Sequence, residues 1–359
     1  MKKIVLTGGG TAGHVTPNIA LLPALQAAGY EIAYVGSYEG IEKKLIADFN
    51  IPYTGISTGK FRRYLDPKNF SDPFRVMKGF VEARNYLKNY QPDVVFSKGG
   101  FVSVPVVRAA ASLHIPCIIH ESDMTPGLAN KLCIPVAEKV CCNFPETMKN
   151  IPADKAVLTG SPIRAELAQG SRLAGLNMCG FTANKPVIMV IGGSLGAANV
   201  NKAVRDALPK LLEDFQVVHL CGKDKIDNLL LNTPGYKQFE YIKAELKDIF
   251  AMADVVISRA GANAICELLA LKKPNILIPL PAASSRGDQL LNAASFEAQG
   301  YSIMLNEDDI TTNLLVDKVH ELYFNRQNYV EAMSRSHQMD AINTIMLLIN
   351  EAANKSHTQ

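Results

Sequence analysis

The chain opens on an apolar run, Ile4 to Leu6, that leads into three consecutive glycines and then a fourth, Gly8 to Gly13. Apolar runs of this kind are typical of buried strands in parallel sheets. Glycines directly after such a strand permit a tight turn and let backbone N–H groups approach a phosphate. Gly8, Gly10 and Gly13 have the G-x-G-x-x-G spacing of nucleotide-binding turns. This feature predicts a strand, a turn and a helix of a doubly wound α/β domain.

The residues after this turn complete a βαβ unit. Pro17 to Ala28 carries apolar residues at helical spacing, and Glu31 to Val35 predicts a second strand. A dinucleotide-binding dehydrogenase would place an acid at the end of that strand to hold ribose hydroxyls. Here the strand ends in Gly36 and Ser37, which argues against NAD. Glu39 lies close enough to keep an NAD-dependent oxidoreductase as an alternative.

A second glycine-rich turn occurs in the other half of the chain. Val187 to Ile191 predicts a strand, and the turn Gly192 to Ala198 follows it, ahead of another helix. A short internal sequence repeat agrees with this duplication, because the segment Pro92 to Gly100 resembles the segment Ala253 to Gly261. The length of 359 residues is about twice that of a usual domain. Two similar Rossmann-like units in tandem are predicted.

Other polar loops follow predicted strands and are candidate site segments, since open α/β sheets bind ligands at the carboxyl ends of their strands. The strand Ile115 to Ile119 leads into His120 and Glu121, for which loop structure and function are equally open. No second histidine follows at the spacing of a metalloprotease zinc site. Glu267, inside the helix after Gly261, is equally open between a ribose contact and a carboxylate favoured by the helix dipole.

Charge and cysteine patterns exclude several classes of protein. The net charge of +3 is too small to indicate a nucleic-acid partner. No D-x-D pair occurs, although a protein that holds a nucleoside diphosphate through a carboxylate-bound divalent metal would need such a pair. The seven cysteines form no C-x-x-C pair and are expected to be reduced core thiols. No membrane-spanning run or signal-peptide pattern is found, which favours the cytoplasm.

The segment Gly59 to Tyr90 mixes basic and large apolar residues. From the residues alone, the favoured expectation is an ordinary amphipathic helix whose Phe74, Met77 and Val81 face the core. The alternative is an interfacial helix with a basic loop that contacts an anionic membrane surface. The sequence does not separate these two interpretations.

Several motifs together carry a resemblance to a known family. They are Gly9–His14, Lys98–Phe101, His120–Gly127, Gly160–Arg164, Gly192–Ala197, Ser258–Glu267 and Gly287–Asn292. In order and spacing this set resembles the MurG family of bacterial N-acetylglucosaminyltransferases, and the match covers nearly the whole chain. The sequence departs from a pattern frequent in the family at Ala12, where glycine is common, and at Asp123, where some members have asparagine.

The resemblance implies a fold, a reaction and a location. The fold is α/β of the GT-B type, with two doubly wound, parallel-sheet Rossmann-like domains facing each other across a cleft. The implied boundaries are an acceptor-binding and membrane-associated domain at 1–163, a UDP-GlcNAc-binding domain at 164–337, and a last helix at about 338–357 that packs back on the first domain. The implied reaction is the inverting, metal-independent and cofactor-free transfer of GlcNAc from UDP-GlcNAc to the polyprenyl-linked acceptor lipid I. The implied location is the cytoplasmic face of the cell membrane, as a peripheral protein on an anionic surface. A UDP-sugar epimerase or hydrolase of the same fold is the alternative.

The resemblance also assigns site residues. The implied donor-binding residues are Thr11, Ala12, Gly13, Asp123, Arg164, Ser194, Ile242, Ala262, Asn263, Glu267 and Gln289. Of these, Arg164 and Ser194 would lie on the diphosphate side, Glu267 on the ribose and Gln289 on the sugar hydroxyls. His14 is the candidate general base or acceptor contact, and Gly9, Gly10, Gly99 and Gly100 form the acceptor and pyrophosphate loops. The first glycine turn is then a platform for His14, and the turn at Gly192 is the better candidate to hold UDP.

Overall fold

The structure is a computed structural model that describes residues 1–59, 68–192, 197–282 and 287–356. The chain divides into two compact units. The first comprises Met1–Arg164 together with Asp340–Gln359, and the second comprises Ala165–Met339. The chain therefore leaves the first unit near Arg164 and returns to it with its last helix.

The first unit is built on a seven-stranded sheet of the described residues in which every strand pair is parallel. Its strands are β1 (Lys3–Thr7), β2 (Glu31–Ser37), β3 (Tyr53–Ile56), β4 (Val94–Ser97), β5 (Cys117–Glu121), β6 (Lys139–Cys142) and β7 (Ala156–Leu158), in the order β3-β2-β1-β4-β5-β6-β7. Its helices are α1 (Thr16–Ala27), α2 (Ile41–Ile46), α3 (Lys68–Tyr90), α4 (Ser103–Ser112), α5 (Leu128–Cys133) and α6 (Pro145–Met148), and the last helix of the chain, Ala341–Ser356.

In its described part, the second unit repeats this plan with a six-stranded parallel sheet. Its strands are β8 (Val187–Ile191), β9 (Gln216–Leu220), β10 (Tyr236–Phe239), β11 (Val255–Ser258), β12 (Asn275–Leu277) and β13 (Ser302–Met304), in the order β10-β9-β8-β11-β12-β13. Its helices are α7 (Arg172–Cys179), α8 (Ala198–Asp214), α9 (Leu246–Met252), α10 (Ala262–Ala270), α11 (Asp288–Ala298), α12 (Thr312–Phe324) and α13 (Arg326–Ser334). The helix Ala341–Ser356 is α14.

Both sheets reverse their strand order beside their first strand. In the first unit β1 lies between β2 and β4, so that Leu6 is paired with both Tyr34 and Phe96. In the second unit β8 lies between β9 and β11. Loops diverge at such a switch point and leave a crevice at the carboxyl ends of the strands, where doubly wound sheets hold their ligands. The predicted fold class, two doubly wound Rossmann-like domains, is confirmed.

Helix α3 is oriented differently from the favoured expectation. Phe74, Met77 and Val81 are 79%, 64% and 50% exposed, so the expectation that they face the core is wrong. The buried face instead carries Ala83 and Leu87, which belong to the core shared with α4. Apolar residues lie on two faces of this helix, and only one face can pack on the sheet. The other leaves large apolar side chains in solvent.

Helix α14 completes the core of the first unit. Ile345 and Ile349 are fully buried in a cluster with residues of β1, α1 and β4. Tyr30 also donates a hydrogen bond from its hydroxyl to Asn350 Oδ1 at 2.7 Å. The last helix is therefore a structural part of the first unit.

Shortening Ile345 to alanine is expected to lower the free energy of unfolding of the first unit by about 2–5 kcal/mol, because a buried side chain leaves a cavity. The control on the same helix is Leu347→Ala, since Leu347 is 62% exposed and should change stability by about 0.5 kcal/mol or less. Urea unfolding followed by circular dichroism compares the two. Equal unfolding midpoints would contradict the packing of α14 described here.

Candidate active site

Hydrogen bonds from neighbouring elements hold the start of the turn after β1 in place. The Thr7 carbonyl accepts hydrogen bonds from the Lys98 backbone N–H at 2.9 Å and from Asn18 Nδ2 at 3.0 Å. The buried Tyr34 donates its hydroxyl to the Gly8 carbonyl at 2.7 Å. The turn then passes into a single 3-10 turn, Ala12–His14, ahead of α1. These bonds fix the start of the loop that carries His14.

The turns after β1 and β4 pack directly against each other. A β-carbon at Gly100 would lie 2.3 Å from the Gly9 carbonyl oxygen and 3.3 Å from His14 Nδ1. A β-carbon at Gly10 would lie 2.4 Å from the Phe101 ring. Gly10 and Gly100 both have φ of +85°, a conformation that favours glycine. Backbone contact between the loops therefore requires glycine here, whether or not a ligand is bound.

His14 is half-buried on this platform and is held in place by its neighbours. Its Nδ1 lies 3.0 Å from Thr11 Oγ1, and its backbone N–H donates to the Thr11 carbonyl at 3.1 Å. Burial, followed by the positive charge of Lys98, lowers the pKa of His14 to about 4, against opposing contributions from the Gly9 carbonyl and Glu42. The imidazole is therefore neutral near pH 7 and able to accept a proton.

Lys98 and His120 form a buried polar cluster next to this platform. Lys98 is 1% exposed, and its ammonium lies 3.0 Å from His120 Nδ1 and close to Ser122 Oγ. His120 Nε2 lies 2.9 Å from the Gly160 carbonyl, to which it donates. Burial and Lys98 hold the pKa of His120 well below its usual value. His120 thus joins β4, β5 and the loop at Gly160 as a neutral structural residue.

Glu121 shapes the loop after β5. Its carboxylate accepts hydrogen bonds from the backbone N–H of Asp123 at 2.9 Å, the backbone N–H of Gly127 at 3.0 Å and Asn130 Nδ2 at 2.8 Å. Burial raises the pKa of Glu121. Of the two roles left open for Glu121, the structure supports loop formation. This anchoring places Asp123, which is half-buried, at the carboxyl end of β5.

Sequence reasoning missed Glu42 of α2, a fully buried carboxylate. Glu42 accepts a hydrogen bond from the Gly10 backbone N–H at 3.1 Å and therefore contacts the loop that carries His14. Glu39, the acid considered for a ribose contact, is exposed. Gly9, Gly36 and Gly40 lie close to Glu42, and these glycines are the sequence signal that could have found it.

Five of the eleven predicted donor-binding residues are described in the second unit. Ile242 is buried in the loop after β10, and Ala262 and Asn263 begin α10 directly after β11. Glu267 lies further along α10, and Gln289 is the second residue of α11. The N-termini of α10 and α11 therefore lie at the carboxyl side of β11 and β12, where helix dipoles favour anionic groups.

One side chain of α11 holds the segment after β12, and another connects α11 to the residues just before α10. Gln289 accepts a hydrogen bond from the Leu280 backbone N–H at 3.1 Å, and Asn292 donates to the Ala260 carbonyl at 3.0 Å. Arg259 and Glu307 form a largely buried salt bridge. Sequence reasoning did not assign a role to this pair. Arg259 also donates to the carbonyl of Ile278 at 3.0 Å, which ties the end of β11 to the end of β12.

The remaining predicted residues lie elsewhere. Thr11, Ala12, Gly13, Asp123 and Arg164 all belong to the first unit. Ser194, with the turn 193–196, and the basic loop 60–67 lie outside the described residues.

Among the described residues, no group of three or more His, Cys, Asp or Glu side chains is placed to hold a metal ion. In the same parts of the chain, no helix is both long enough and apolar enough to cross a membrane. The seven cysteines are all free and buried, as expected for core thiols.

Gly100→Ala is expected to lower the free energy of unfolding of the first unit by about 2–4 kcal/mol, because its β-carbon meets the Gly9 carbonyl and its φ is positive. The matched control is Gly127→Ala, where φ is −67° and a β-carbon meets no atom within 4 Å. Its stability should change by about 1 kcal/mol or less. Urea unfolding of both variants measures the difference, and equal stabilities would contradict the tight loop contact.

Two doubly wound domains in tandem, with candidate loops at the carboxyl ends of their strands, are the architecture of the GT-B fold. The glycosyltransferase family 28 N-terminal domain matches residues 4–142, and the glycosyltransferase family 28 C-terminal domain matches residues 187–346. Both halves of the chain are thus covered by one family of transferases.

Comparison with individual proteins narrows this assignment. The chain is 64% identical over 351 residues to the UDP-N-acetylglucosamine–N-acetylmuramyl-(pentapeptide) pyrophosphoryl-undecaprenol N-acetylglucosamine transferase of Lachnospira eligens, covering 98% of this chain and 99% of the relative. It is 56% identical, with the same coverage, to the transferase of that name from Clostridium botulinum. The crystal structure of Acinetobacter baumannii MurG superposes with a TM-score of 0.77 at 29% identity, covering 98% of this chain and 100% of that chain. The chain belongs to the MurG family.

The predicted family and enzyme class, an N-acetylglucosaminyltransferase dependent on UDP-GlcNAc, are confirmed. The same fold occurs in other enzymes. A UDP-GlcNAc 2-epimerase from Methanocaldococcus jannaschii superposes with a TM-score of 0.68 at 14% identity, which shows a shared fold. The epimerase and NAD-dependent alternatives are not favoured, since the close relatives over the full chain are transferases.

Proposed function

We propose that this chain transfers GlcNAc from UDP-GlcNAc to the C4 hydroxyl of MurNAc in undecaprenyl-pyrophosphoryl-MurNAc-pentapeptide. This step converts lipid I to lipid II in peptidoglycan synthesis. The observation that carries the proposal is the 64% identity, over 98% of the chain, to a transferase whose name states this reaction. Further support comes from the neutral His14 in one unit and the helix N-termini of α10 and α11 in the other, which would supply groups that such a transfer needs.

The second unit is proposed to hold the donor. Ile242 and the start of α10, with Ala262 and Asn263, would contact the uracil, and Glu267 would accept hydrogen bonds from the ribose hydroxyls. Gln289 would bind the hydroxyls of the GlcNAc ring. Helix N-termini favour the negative charge that develops on UDP as it leaves. Arg164 and Ser194 are proposed to add a cation and a hydroxyl on the diphosphate side.

The first unit is proposed to bind the acceptor and to activate it. His14 would take the proton of the C4 hydroxyl while the new bond to the sugar C1 forms and the bond from C1 to UDP breaks. A single displacement of this kind inverts the configuration at C1. Thr11, with Ala12 and Gly13, would lie near the donor sugar, and Asp123 would add a further polar contact.

The paired glycine turns have their own proposed role. Gly9, Gly10, Gly99 and Gly100 would border the pyrophosphate of the acceptor. Their support is positional, since both turns follow strands at the switch point of the first sheet.

A pH-rate profile tests His14 as the base. Because the base acts in its neutral form and the pKa of His14 is lowered to about 4, kcat/KM should stay level from about pH 7 to about pH 5 and fall below about pH 4. His14→Ala should lower kcat/KM roughly a hundredfold to ten-thousandfold and lose this acidic limb. His320→Ala, on α12 and outside the proposed site, is the control.

The readout is transfer of radiolabelled GlcNAc to a lipid I analogue. An acidic limb that persists in His14→Ala would refute the base role while leaving the transferase assignment in place. Wild-type protein that binds UDP-GlcNAc and transfers no label would refute the transferase itself. UDP release that needs no acceptor would favour a hydrolase or epimerase.

We also propose that the protein associates peripherally with the anionic cytoplasmic face of the cell membrane through α3. The α3 surface, defined as Phe74, Met77 and Val81 with Arg75 and Lys78, combines exposed apolar side chains with basic ones. Apolar insertion and attraction to anionic lipids cooperate on such surfaces. Because the proposed acceptor is anchored in the membrane, the enzyme has to reach the membrane surface, and the α3 surface would make that contact. Its support is the exposure of these side chains on a helix that packs in the core through other residues, Ala83 and Leu87.

The double variant Phe74→Ser with Met77→Ser is expected to bind vesicles containing phosphatidylglycerol about tenfold or more weakly, because two exposed apolar side chains no longer insert. Leu347→Ser, which removes an exposed apolar side chain from α14, should bind as the wild type does. Sedimentation with vesicles gives the affinities. Equal binding by the double variant and the wild type would contradict the assignment of the α3 surface.

A further inference from the structure

Glu42 lies beneath the loop that carries His14 and is the anion to which this loop is bound. It is fully buried, near the start of α2. One carboxylate oxygen, Oε2, accepts the Gly10 backbone N–H at 3.1 Å. The other, Oε1, accepts the backbone N–H of Ser37 at 3.0 Å and its hydroxyl at 2.5 Å. Three donors from two segments therefore share one carboxylate.

Three glycines, one after β1, one at the end of β2 and one just before α2, lie close around this side chain. A β-carbon at Gly9 would lie 2.5 Å from the Glu42 carboxylate carbon, and one at Gly40 would lie 2.1 Å from Oε1. A β-carbon at Gly36 would lie 2.8 Å from Glu42 Cγ. Such distances leave no room for a side chain at any of the three positions. The turns after β1 and β2 are therefore shaped around Glu42.

The Gly10 N–H belongs to a turn with the spacing of a phosphate cradle. In nucleotide-binding turns, N–H groups of this loop point at a phosphate. Here the Gly10 N–H points at a carboxylate of the protein itself. A pyrophosphate on this loop would consequently have to be bound by N–H groups other than that of Gly10. The negative charge of Glu42 would repel a second anion placed beside it.

We infer that Glu42 is a positioning residue for transfer: it fixes the 8–13 loop from inside, in the place of a phosphate, so that His14 is presented to the acceptor in one orientation. This inference rests on the proposed function of His14. A catalytic group that is displaced by about 1 Å loses about a hundredfold in rate, so the hold on the loop matters for turnover.

The charges around His14 supply a second observable. Lys98, at the end of β4, and Glu42, on α2, face His14 with opposite signs, and the Gly9 carbonyl and Thr11 are its neighbours within the loop. Lys98 lowers the pKa of His14, and Glu42 raises it. Loss of the Glu42 charge should therefore move the titration of His14 to lower pH.

Glu42→Gln is the main test, since glutamine keeps the size of the side chain, loses its charge and cannot accept at both ends. We expect kcat to fall about tenfold or more, while KM for UDP-GlcNAc stays within about twofold. In NMR spectra of the free enzyme with labelled histidine and glycine, His14 should stay neutral to lower pH than in the wild type. The Gly10 amide should exchange with solvent faster. His14→Gln assigns the histidine signal, and sequential backbone assignment identifies the Gly10 amide without changing a residue that must be glycine.

Ser37→Ala is the matched control, because it removes one hydrogen bond to the same carboxylate and keeps its charge and its bond to Gly10. It should leave the His14 titration in place and kcat within about threefold of the wild type. Glu42→Asp keeps the charge but is one methylene shorter. For this variant kcat should fall while His14 titrates as in the wild type. If Glu42→Gln does not fold, Glu42→Asp tests whether Glu42 positions the loop that carries His14.

A folded Glu42→Gln protein with the kcat of the wild type would overturn the inference. So would a lower kcat with both NMR signals unmoved, or a Glu42→Asp protein with full kcat. The NMR measurements need no turnover. If the wild type transfers no GlcNAc, they still show whether Glu42 holds the loop, and this separates failure of the inference from failure of the proposed function.

Discussion

The backbone contact between the turns after β1 and β4 is the constraint on which the arrangement of the first unit depends. Because β1 and β4 are adjacent parallel strands, both turns leave the sheet at the same edge and must pass each other closely. They do so without β-carbons, with the Gly9 carbonyl against Gly100. This contact sets where His14 lies, and it brings the buried Lys98 near the imidazole. A single larger residue in either turn would displace all of these groups together.

Buried charge then determines the chemistry available at this edge. Lys98 and Glu42 are both excluded from solvent, and in such surroundings each acts on its neighbours more strongly than it would in water. Their opposite signs partly cancel at His14, and desolvation is left as the largest influence on its protonation. The second unit uses its buried ions differently. Arg259 and Glu307 neutralise each other directly and hold strand ends together.

Much of the fold could be predicted from the sequence, and particular residues show where prediction failed. Glycine turns after apolar runs indicated both Rossmann-like units, because few other residues allow such turns. The orientation of α3 could not be predicted, since Phe74 and Leu87 are both apolar and only the fit against α4 decides which face is buried. Glu42 was missed for a similar reason. An acid in a short helix looks like a surface residue until its glycine neighbours are seen in space. His120 and Glu121 were identified as candidates, but their buried hydrogen bonds give them structural roles.

The membership of α14 in the first unit has a consequence for how the chain acquires its structure. Residues 165–339 are contiguous, so the second unit has all its parts as soon as they leave the ribosome. The first unit is synthesised earlier, yet the helix that fills the space beside α1 and β4 is made last. Until Ile345 and Ile349 emerge, an apolar surface on the N-terminal sheet remains uncovered. The half of the protein that is translated first therefore cannot complete its core until α14 has been synthesised.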